Sequence, residues 1–255
     1  MNPLTLSVII PAWNEERRLP ATLEKLLAFF QSHRWDAEIL VVDDGSTDST
    51  GKISKNYSQD YPIIRALALK KNSGKGAAVA AGVAHAVKSW CLIYDADSAT
   101  PIEEILHFQK QIGPTSEILI GSRDVAGAHR IVKQPWLRHQ LGRIFVRFRK
   151  ALVGMKNIED TQCGFKLMRA ATAKRLFSGL KNHGFLFDVE ILGKAEILGL
   201  GIQEIGVRWR DVPQSKVRLS REIPQTLFSL WSMRGELRKF RAETHSKEIS
   251  TAAAE

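Results

Sequence analysis

The sequence predicts an α/β protein built on a mostly parallel, doubly wound sheet, and three observations carry that expectation. Apolar runs of strand length recur at Leu4–Ile10, Glu38–Val42, Ile64–Leu69, Trp90–Tyr94 and Glu117–Gly121, several rich in Val and Ile and flanked by polar turns. Segments with helical spacing lie between them, and strand alternating with helix implies a sheet covered by helices on both faces. The 255 residues, 44% hydrophobic and 25% charged, suffice for one large α/β domain or two small ones. In such a sheet ligands bind beyond the carboxyl ends of the strands, so the loops after each strand are where chemistry is sought.

The first strand is followed by Pro11-Ala12-Trp13-Asn14-Glu15-Glu16, which is not the GxGxxG turn of a dinucleotide-binding fold. An NAD or FAD enzyme is therefore not expected. Leu19, Leu23, Leu26, Leu27 and Phe30 then form the apolar stripe of a helix. The second strand ends in Asp43-Asp44-Gly45-Ser46-Thr47-Asp48, two adjacent carboxylates followed by a capping pattern that starts a helix. A carboxylate there can accept hydrogen bonds from a ribose or a base, although Asp43 reads equally as a turn carboxylate.

The third strand leads to Asn72-Ser73-Gly74-Lys75-Gly76-Ala77, glycines flanking a lysine where the helix Gly74–Lys88 begins. Free N–H groups and the helix dipole favour an anion at such an end, with Lys75 as a mobile positive charge. The fourth strand ends in Asp95-Ala96-Asp97, before a helix over Pro101–Gly113. Alternate residues of an extended chain share a side, so the two carboxylates converge and repel unless a cation lies between them. A hard divalent ion held jointly with substrate phosphates suits that pair, and helix capping is the alternative reading.

The second half is less regular. It offers a basic helical stretch over Trp136–Val153, a loop over Asn157–Lys166, helices near Ala171–Leu180 and Phe187–Leu198, and a strand over Gly201–Trp209. The polar segment Ala242–Glu255 reads as a frayed tail.

The order PAWNEE, VVDDGSTDST, GKGAA and DAD at successive strand ends resembles the family 2 glycosyltransferases of the GT-A fold. The resemblance covers about residues 5–215 and grows closer downstream, at Gly121-Ser122-Arg123, Asp160-Thr161-Gln162-Cys163-Gly164-Phe165-Lys166, Phe187-Asp188-Val189-Glu190, Val207-Arg208-Trp209 and Ser215-Lys216-Val217. These segments are similar to the polyprenyl-phosphate branch, in particular the dolichyl-phosphate β-glucosyltransferases and related mannosyltransferases. DADSAT is nearer the glucosyltransferase pattern DADGAT than the mannosyltransferase pattern DADLQHP.

The resemblance implies that Pro11, Trp13, Glu15, Asp43, Asp44, Lys75, Asp95, Ala96 and Asp97 line the nucleotide-sugar site, with Asp44 on the base or ribose. Asp97, with Asp95, would hold Mg²⁺ or Mn²⁺; the glutamine that binds metal in mannosyltransferase-like relatives is Ala99 here, leaving that position to water or phosphate. Arg123, Arg138 and Lys216 stand where the family contacts an acceptor phosphate, and Asp160 at its candidate catalytic position. A phosphate monoester is largely dianionic at pH 7, so an acceptor of that kind needs positive charge more than a general base. Asp160 would then orient a hydroxyl or an arginine, whereas with a sugar-hydroxyl acceptor it would be the base. Cys163 beside it reads as a small packed residue.

The expected activity is inverting transfer of a hexose, glucose from UDP-glucose first, to polyprenyl or dolichyl phosphate. The alternatives are a family 2 transferase acting on a polysaccharide or protein hydroxyl, a GDP-mannose-dependent polyprenyl-phosphate mannosyltransferase, and a nucleotide-sugar-binding scaffold without catalysis. Residues 1–220 are expected to form the transferase domain, 221–241 a basic interfacial helix and 242–255 a disordered tail.

The charge distribution concerns the partner. Of 37 Lys+Arg against 27 Asp+Glu, residues 125–158 hold eight and none, and residues 208–241 hold nine and three. The rest of the chain is mildly acidic. Within the first stretch Leu137, Leu141, Ile144, Phe145, Phe148 and Leu152 share one helical face, opposite His139, Arg143, Arg147 and Lys150. Ile223, Leu227, Leu230, Trp231, Arg234 and Arg238 repeat the theme. Packing on the protein's own core is the rival reading of both. An anionic membrane surface is the expected partner rather than nucleic acid, because no zinc-finger or RNP signature accompanies the charge. No apolar run reaches membrane-span length, the N-terminus lacks a signal-peptide pattern, and Cys91 and Cys163 form no disulfide framework. The expected location is the cytoplasmic face of a membrane, bound peripherally; oligomeric state is not encoded legibly.

Overall fold

A computed structural model of the chain describes residues 4–130, 146–155, 157–210 and 219–252. Its elements are β1 (Leu6–Ala12), α1 (Leu19–His33), β2 (Ala37–Asp43), α2 (Thr50–Asp60), β3 (Ile64–Ala68), α3 (Lys75–His85), β4 (Trp90–Tyr94), α4 (Glu104–Gln111), β5 (Ile118–Ser122) and β6 (His129–Arg130). A helical segment over 146–152 (α5) follows. The chain continues through β7 (Phe165–Arg169), α6 (Ala170–Phe177), α7 (Phe187–Ile197), β8 (Ile202–Gly206), β9 (Arg208–Trp209) and α8 (Leu219–Ala252).

Seven strands form one sheet in the order β3-β2-β1-β4-β7-β5-β8. All neighbours are parallel except around β7, which runs antiparallel to β4 and β5. Side chains alternate across each strand, so Val8 and Ile10 enter the core under α1 and α4 while Ile9 enters the core under α3, α6 and α7. Burial on both faces explains why the strands read as continuous apolar runs. Pro11, which cannot donate a ladder bond, lies beyond the last β1–β4 pair, Ile9 with Ile93.

Among the described residues the predicted strands and helices are present, the helix expected over Trp136–Val153 being described only from residue 146, and the strands differ at two places. β7 falls where a loop and helix boundary were expected: Lys166 interrupts the apolar run Phe165–Met168, and a lysine at a buried strand position conceals the strand. The single strand expected over Gly201–Trp209 is split at Val207, whose carbonyl receives His129 N–H at 3.1 Å, and β9 leaves the main sheet to pair with β6.

α8 runs unbroken to Ala252, through the stretch expected to be a tail. Its Leu230, Met233 and Leu237 are buried, and Leu237 packs on Gly193 of α7. Of the predicted face, Leu230 therefore covers the protein's own core together with its unpredicted neighbours Met233 and Leu237, while Trp231 is 64% exposed. In α5 Phe148 is 44% exposed and Arg149 fully buried, so the described part of this helix turns an apolar ring outward and a guanidinium inward. Leu137, Leu141, Ile144, Phe145, His139 and Arg143 lie outside the described residues. Among those described, no helix is long and apolar enough to cross a membrane.

Candidate active site

The loops after β1 and β2 are zipped together by side chains. Asn14 adopts a left-handed conformation, φ 55°, and its Oδ1 accepts the Thr47 N–H at 2.8 Å. Ser46 Oγ accepts the Asn14 N–H at 2.9 Å and Thr50 Oγ1 the Glu15 N–H at 2.7 Å. Trp13 is left 41% exposed at the rim, and the Glu15 carboxylate takes the Arg18 guanidinium through both its oxygens.

Asp43 and Asp44 serve the loops themselves. Asp43 Oδ1 accepts the Ser46 N–H at 3.0 Å, and its other oxygen sits against Gly51. Asp44 accepts the N–H groups of Ser73 at 2.7 Å and Gly74 at 2.8 Å, one on each oxygen, which ties the second loop to the third. Lone pairs on each oxygen remain for a ligand.

Most N–H groups of the anion nest expected at the start of α3 are taken by the protein itself. His183 O accepts the Gly76 N–H at 2.7 Å and the Ala77 N–H at 3.3 Å, while Asp44 takes the preceding pair. A Cβ on Gly74 or Gly76 would lie 2.4 or 2.7 Å from carbonyl oxygens of the 182–183 loop, so the close approach requires glycine. Glu190 accepts N–H groups from Lys181 and Asn182 and pairs with Lys194, fixing that loop. What α3 presents to a ligand is thus chiefly Lys75, whose side chain is anchored rather than mobile: Nζ lies 2.7 Å from Asp95 Oδ1.

Asp95 and Asp97 occupy one electrostatic site. Burial pushes the Asp95 carboxyl up, but Lys75 first, then Lys166 and Arg123, outweigh it and hold the group below the usual range. Asp97 goes the other way, pushed up by burial and then by the Asp95 charge, with the Ala99 N–H at 3.0 Å and Arg18 at 3.9 Å as partial compensation. Ala96 lies between them, and its carbonyl accepts a bond from Thr22 Oγ1 at 2.8 Å that pins the loop to α1.

The start of β7 forms the back wall. Lys166 is fully buried, with Nζ bonded to the Cys163 carbonyl and 2.6 Å from Asp188 Oδ1 on α7. Gly164 lies directly against Asp95. Burial pushes the Cys163 thiol up to about 11, which supports its reading as a packed residue.

On the far side, at the end of β5, Asp160 receives Arg123 through Nε at 2.6 Å, Nη2 at 2.9 Å and the backbone N–H at 3.1 Å. The Arg123 guanidinium lies 5.4 Å from the Trp209 ring centroid, a cation–π stack. Asp160 is buried and also accepts the Gln162 N–H at 3.0 Å. Burial pushes its carboxyl up, but Arg123 and the N–H groups more than offset this and hold it below the usual range. A carboxylate so engaged is a weak base and a strong orienting group.

The structure thus gathers Pro11, Trp13, Glu15, Asp43, Asp44, Lys75, Asp95, Ala96, Asp97, Arg123 and Asp160 along the carboxyl edge of the sheet. Arg138 and Lys216 lie outside the described residues. Lys166, Asp188, Glu190 and Trp209 stood in the quoted motifs without a role, and a charged residue inside an apolar run is the one signal that marks Lys166.

Residues 7–177 match the family model described as glycosyl transferase family 2. The chain is 39% identical over 228 residues to the Dictyostelium discoideum dolichyl-phosphate beta-glucosyltransferase, covering 83% of this chain and 68% of that protein. It is 38% identical over 227 residues to the Drosophila melanogaster protein of the same name, covering 84% and 69%. The human one is 34% identical over 225 residues, covering 83% and 69%. Among solved structures, mannosyl-3-phosphoglycerate synthase from Rubrobacter xylanophilus superposes with a TM-score of 0.66 at 16% identity, over 95% of this chain and 75% of that one. Glucosyl-3-phosphoglycerate synthase from Mycobacterium tuberculosis, in complex with Mn²⁺ and UDP-glucose, gives 0.61 at 19% identity, over 90% and 79%. The expected GT-A architecture is borne out.

Proposed function

This chain belongs to glycosyl transferase family 2, and from that premise we propose that it transfers glucose from a nucleotide sugar, UDP-glucose, to dolichyl or another polyprenyl phosphate, with inversion. The observation that carries the acceptor half is the Arg123–Asp160 pair. Asp160 has both oxygens committed to Arg123 and backbone, so the site offers a fixed guanidinium instead of a base. A hydroxyl nucleophile needs its proton removed; a phosphate monoester, already ionised, needs only to be held. The names of the curated relatives support the same acceptor and sugar.

Asp95 and Asp97 fit a divalent ion: both donors are hard carboxylates at one strand end, and Asp97 is pushed up by burial and then by the Asp95 charge, a setting that a cation would relieve. No third His, Cys, Asp or Glu joins them among the described residues, so water and substrate phosphate complete such a site. A bound Mg²⁺ or Mn²⁺ would neutralise charge developing on the leaving nucleotide diphosphate. Lys75 holds Asp95 ionised and adds a second positive charge beside the diphosphate. Labelled glucose should pass from UDP-glucose to polyprenyl phosphate when Mn²⁺ is present, and Asp97→Ala should lower turnover about a hundredfold or more. No transfer by the unaltered chain, or full transfer by the variant, would overturn this reading.

The membrane-facing reading places Phe148 of α5 and Trp231 of α8, both exposed, against an anionic leaflet, with the exposed Arg147, Arg234 and Arg238 near the headgroups. Each basic residue near such a surface contributes about 1 kcal/mol, which salt screens. Cosedimentation with phosphatidylserine-containing vesicles at low salt should therefore fall by about tenfold in a Phe148→Ser, Trp231→Ser variant. Equal binding to neutral vesicles would count against the assignment.

A further inference from the structure

We propose that Arg149 and Glu204 are positioning residues for Arg123, acting through the backbone of the loop that carries Asp160; the acceptor part of this inference rests on the proposed function.

Arg149 is the largest fully buried side chain of the described residues, yet it makes no ion pair among them. Nη1 donates to Met155 O at 3.1 Å and Nη2 to Ile158 O, while Nε has no partner among the described residues. Burial dominates its electrostatics and pulls its pKa down, against Glu159, Glu204, Asp160 and Glu196. A buried guanidinium with an unsatisfied N–H is a poor source of stability. Its two bonds instead fix the exit of α5, where Gly154 and Met155 both take positive φ, 98° and 54°.

Glu204, on β8, grips the same loop from the opposite polarity. Its carboxylate accepts the Glu159 N–H at 2.7 Å and the Asp160 N–H at 2.9 Å. Carbonyls of 155 and 158 are thus held by a cation and the N–H groups of 159 and 160 by an anion. The next link is the Asp160 side chain, which meets Arg123 as a two-pronged fork. Fork geometry tolerates little rotation before one bond is lost, so the clamp on the backbone sets where the Arg123 guanidinium points.

Arg149→Lys keeps the charge but reaches one carbonyl, and Glu204→Gln keeps the shape but offers one acceptor oxygen. In each variant the KM for polyprenyl phosphate should rise about tenfold while the affinity for UDP stays within about twofold. Hydrogen exchange at the Arg123 amide, bonded to Asp160 at 3.1 Å, should accelerate by about tenfold, with Ser73 and Gly74 unchanged. Should Arg149→Lys not fold, Glu204→Gln carries the test. Folded variants with unaltered acceptor KM and Arg123 exchange, or with UDP affinity lost in parallel, would overturn the proposal. If the unaltered chain transfers no sugar to polyprenyl phosphate, the acceptor reading falls, and the exchange comparison alone decides whether the clamp positions Arg123.

Discussion

Gly164→Ala should leave a folded protein that has lost about a hundredfold or more in kcat/KM, because the added methyl occupies the space of the Asp95 carboxylate. A Cβ built on Gly164 lies 1.8 Å from Asp95 Oδ2, 2.3 Å from its Cγ and 2.7 Å from Oδ1. Something must move, and the backbone has little room to yield. Lys166 Nζ is bonded to the Cys163 carbonyl one residue earlier and is itself held by Asp188. Phe165, one residue later, is already in register with Tyr94 of β4. The carboxylate is the softer party, so it rotates away from Lys75 and from the point it shares with Asp97. A displacement of about 1 Å at a reacting centre is enough for a loss of that size. Overpacking should also cost about 1–3 kcal/mol of stability. Gly235→Ala, with nothing within 4 Å of its added methyl inside α8, is the matched control and should be neutral or slightly stabilising. Steady-state kinetics with Mn²⁺ titration on both variants checks this; a fully active Gly164→Ala would show that the Asp95 position is not critical.

The sheet and most helices were legible because buried parallel strands write themselves as apolar runs and the helices as stripes. Site residues were legible where local geometry brings them together: Asp95 and Asp97 are alternate residues at one strand end, and Asp43 and Asp44 adjacent ones. Partnerships across the chain were not. Nothing near Lys75 announces that the Gly76 and Ala77 N–H groups are taken by His183, or that Lys75 itself closes on Asp95. Gly164 falls within the stretch expected to be a loop, and its reason is the Asp95 side chain just beyond the end of β4. Lys166 hid both itself and β7, because a buried amine costs so much without a partner that an apolar strand carrying one is not anticipated; Asp188 supplies that partner from α7. Helical periodicity placed Leu230 on an apolar face correctly, but period alone does not say whether such a face meets lipid or, as Leu230 does, the protein's own core.

Asp160→Asn should reduce transfer by about ten- to a hundredfold through Arg123, without behaving as the loss of a general base. A base would be an available carboxylate titrating near the working pH, and its removal would flatten the acid limb of the rate profile. Asp160 is instead held low by Arg123 and by the Gln162 and Arg123 N–H groups. The sign of its linkage follows: with a folded pKa below the unfolded one, the pair stabilises the protein above the unfolded value and is lost as pH falls through the folded value. The unaltered chain should therefore lose more stability on acidification than Asp160→Asn, while the acid limb of transfer keeps its midpoint in the variant. Because Asp160 acts by fixing a guanidinium, Arg123→Lys should reproduce the defect. The double variant should be little worse than either single one, a coupling that independent acid–base and phosphate-binding roles would not give. Additive losses in that cycle, or disappearance of the acid limb in Asp160→Asn alone, would return Asp160 to the role of base and favour a hydroxyl acceptor.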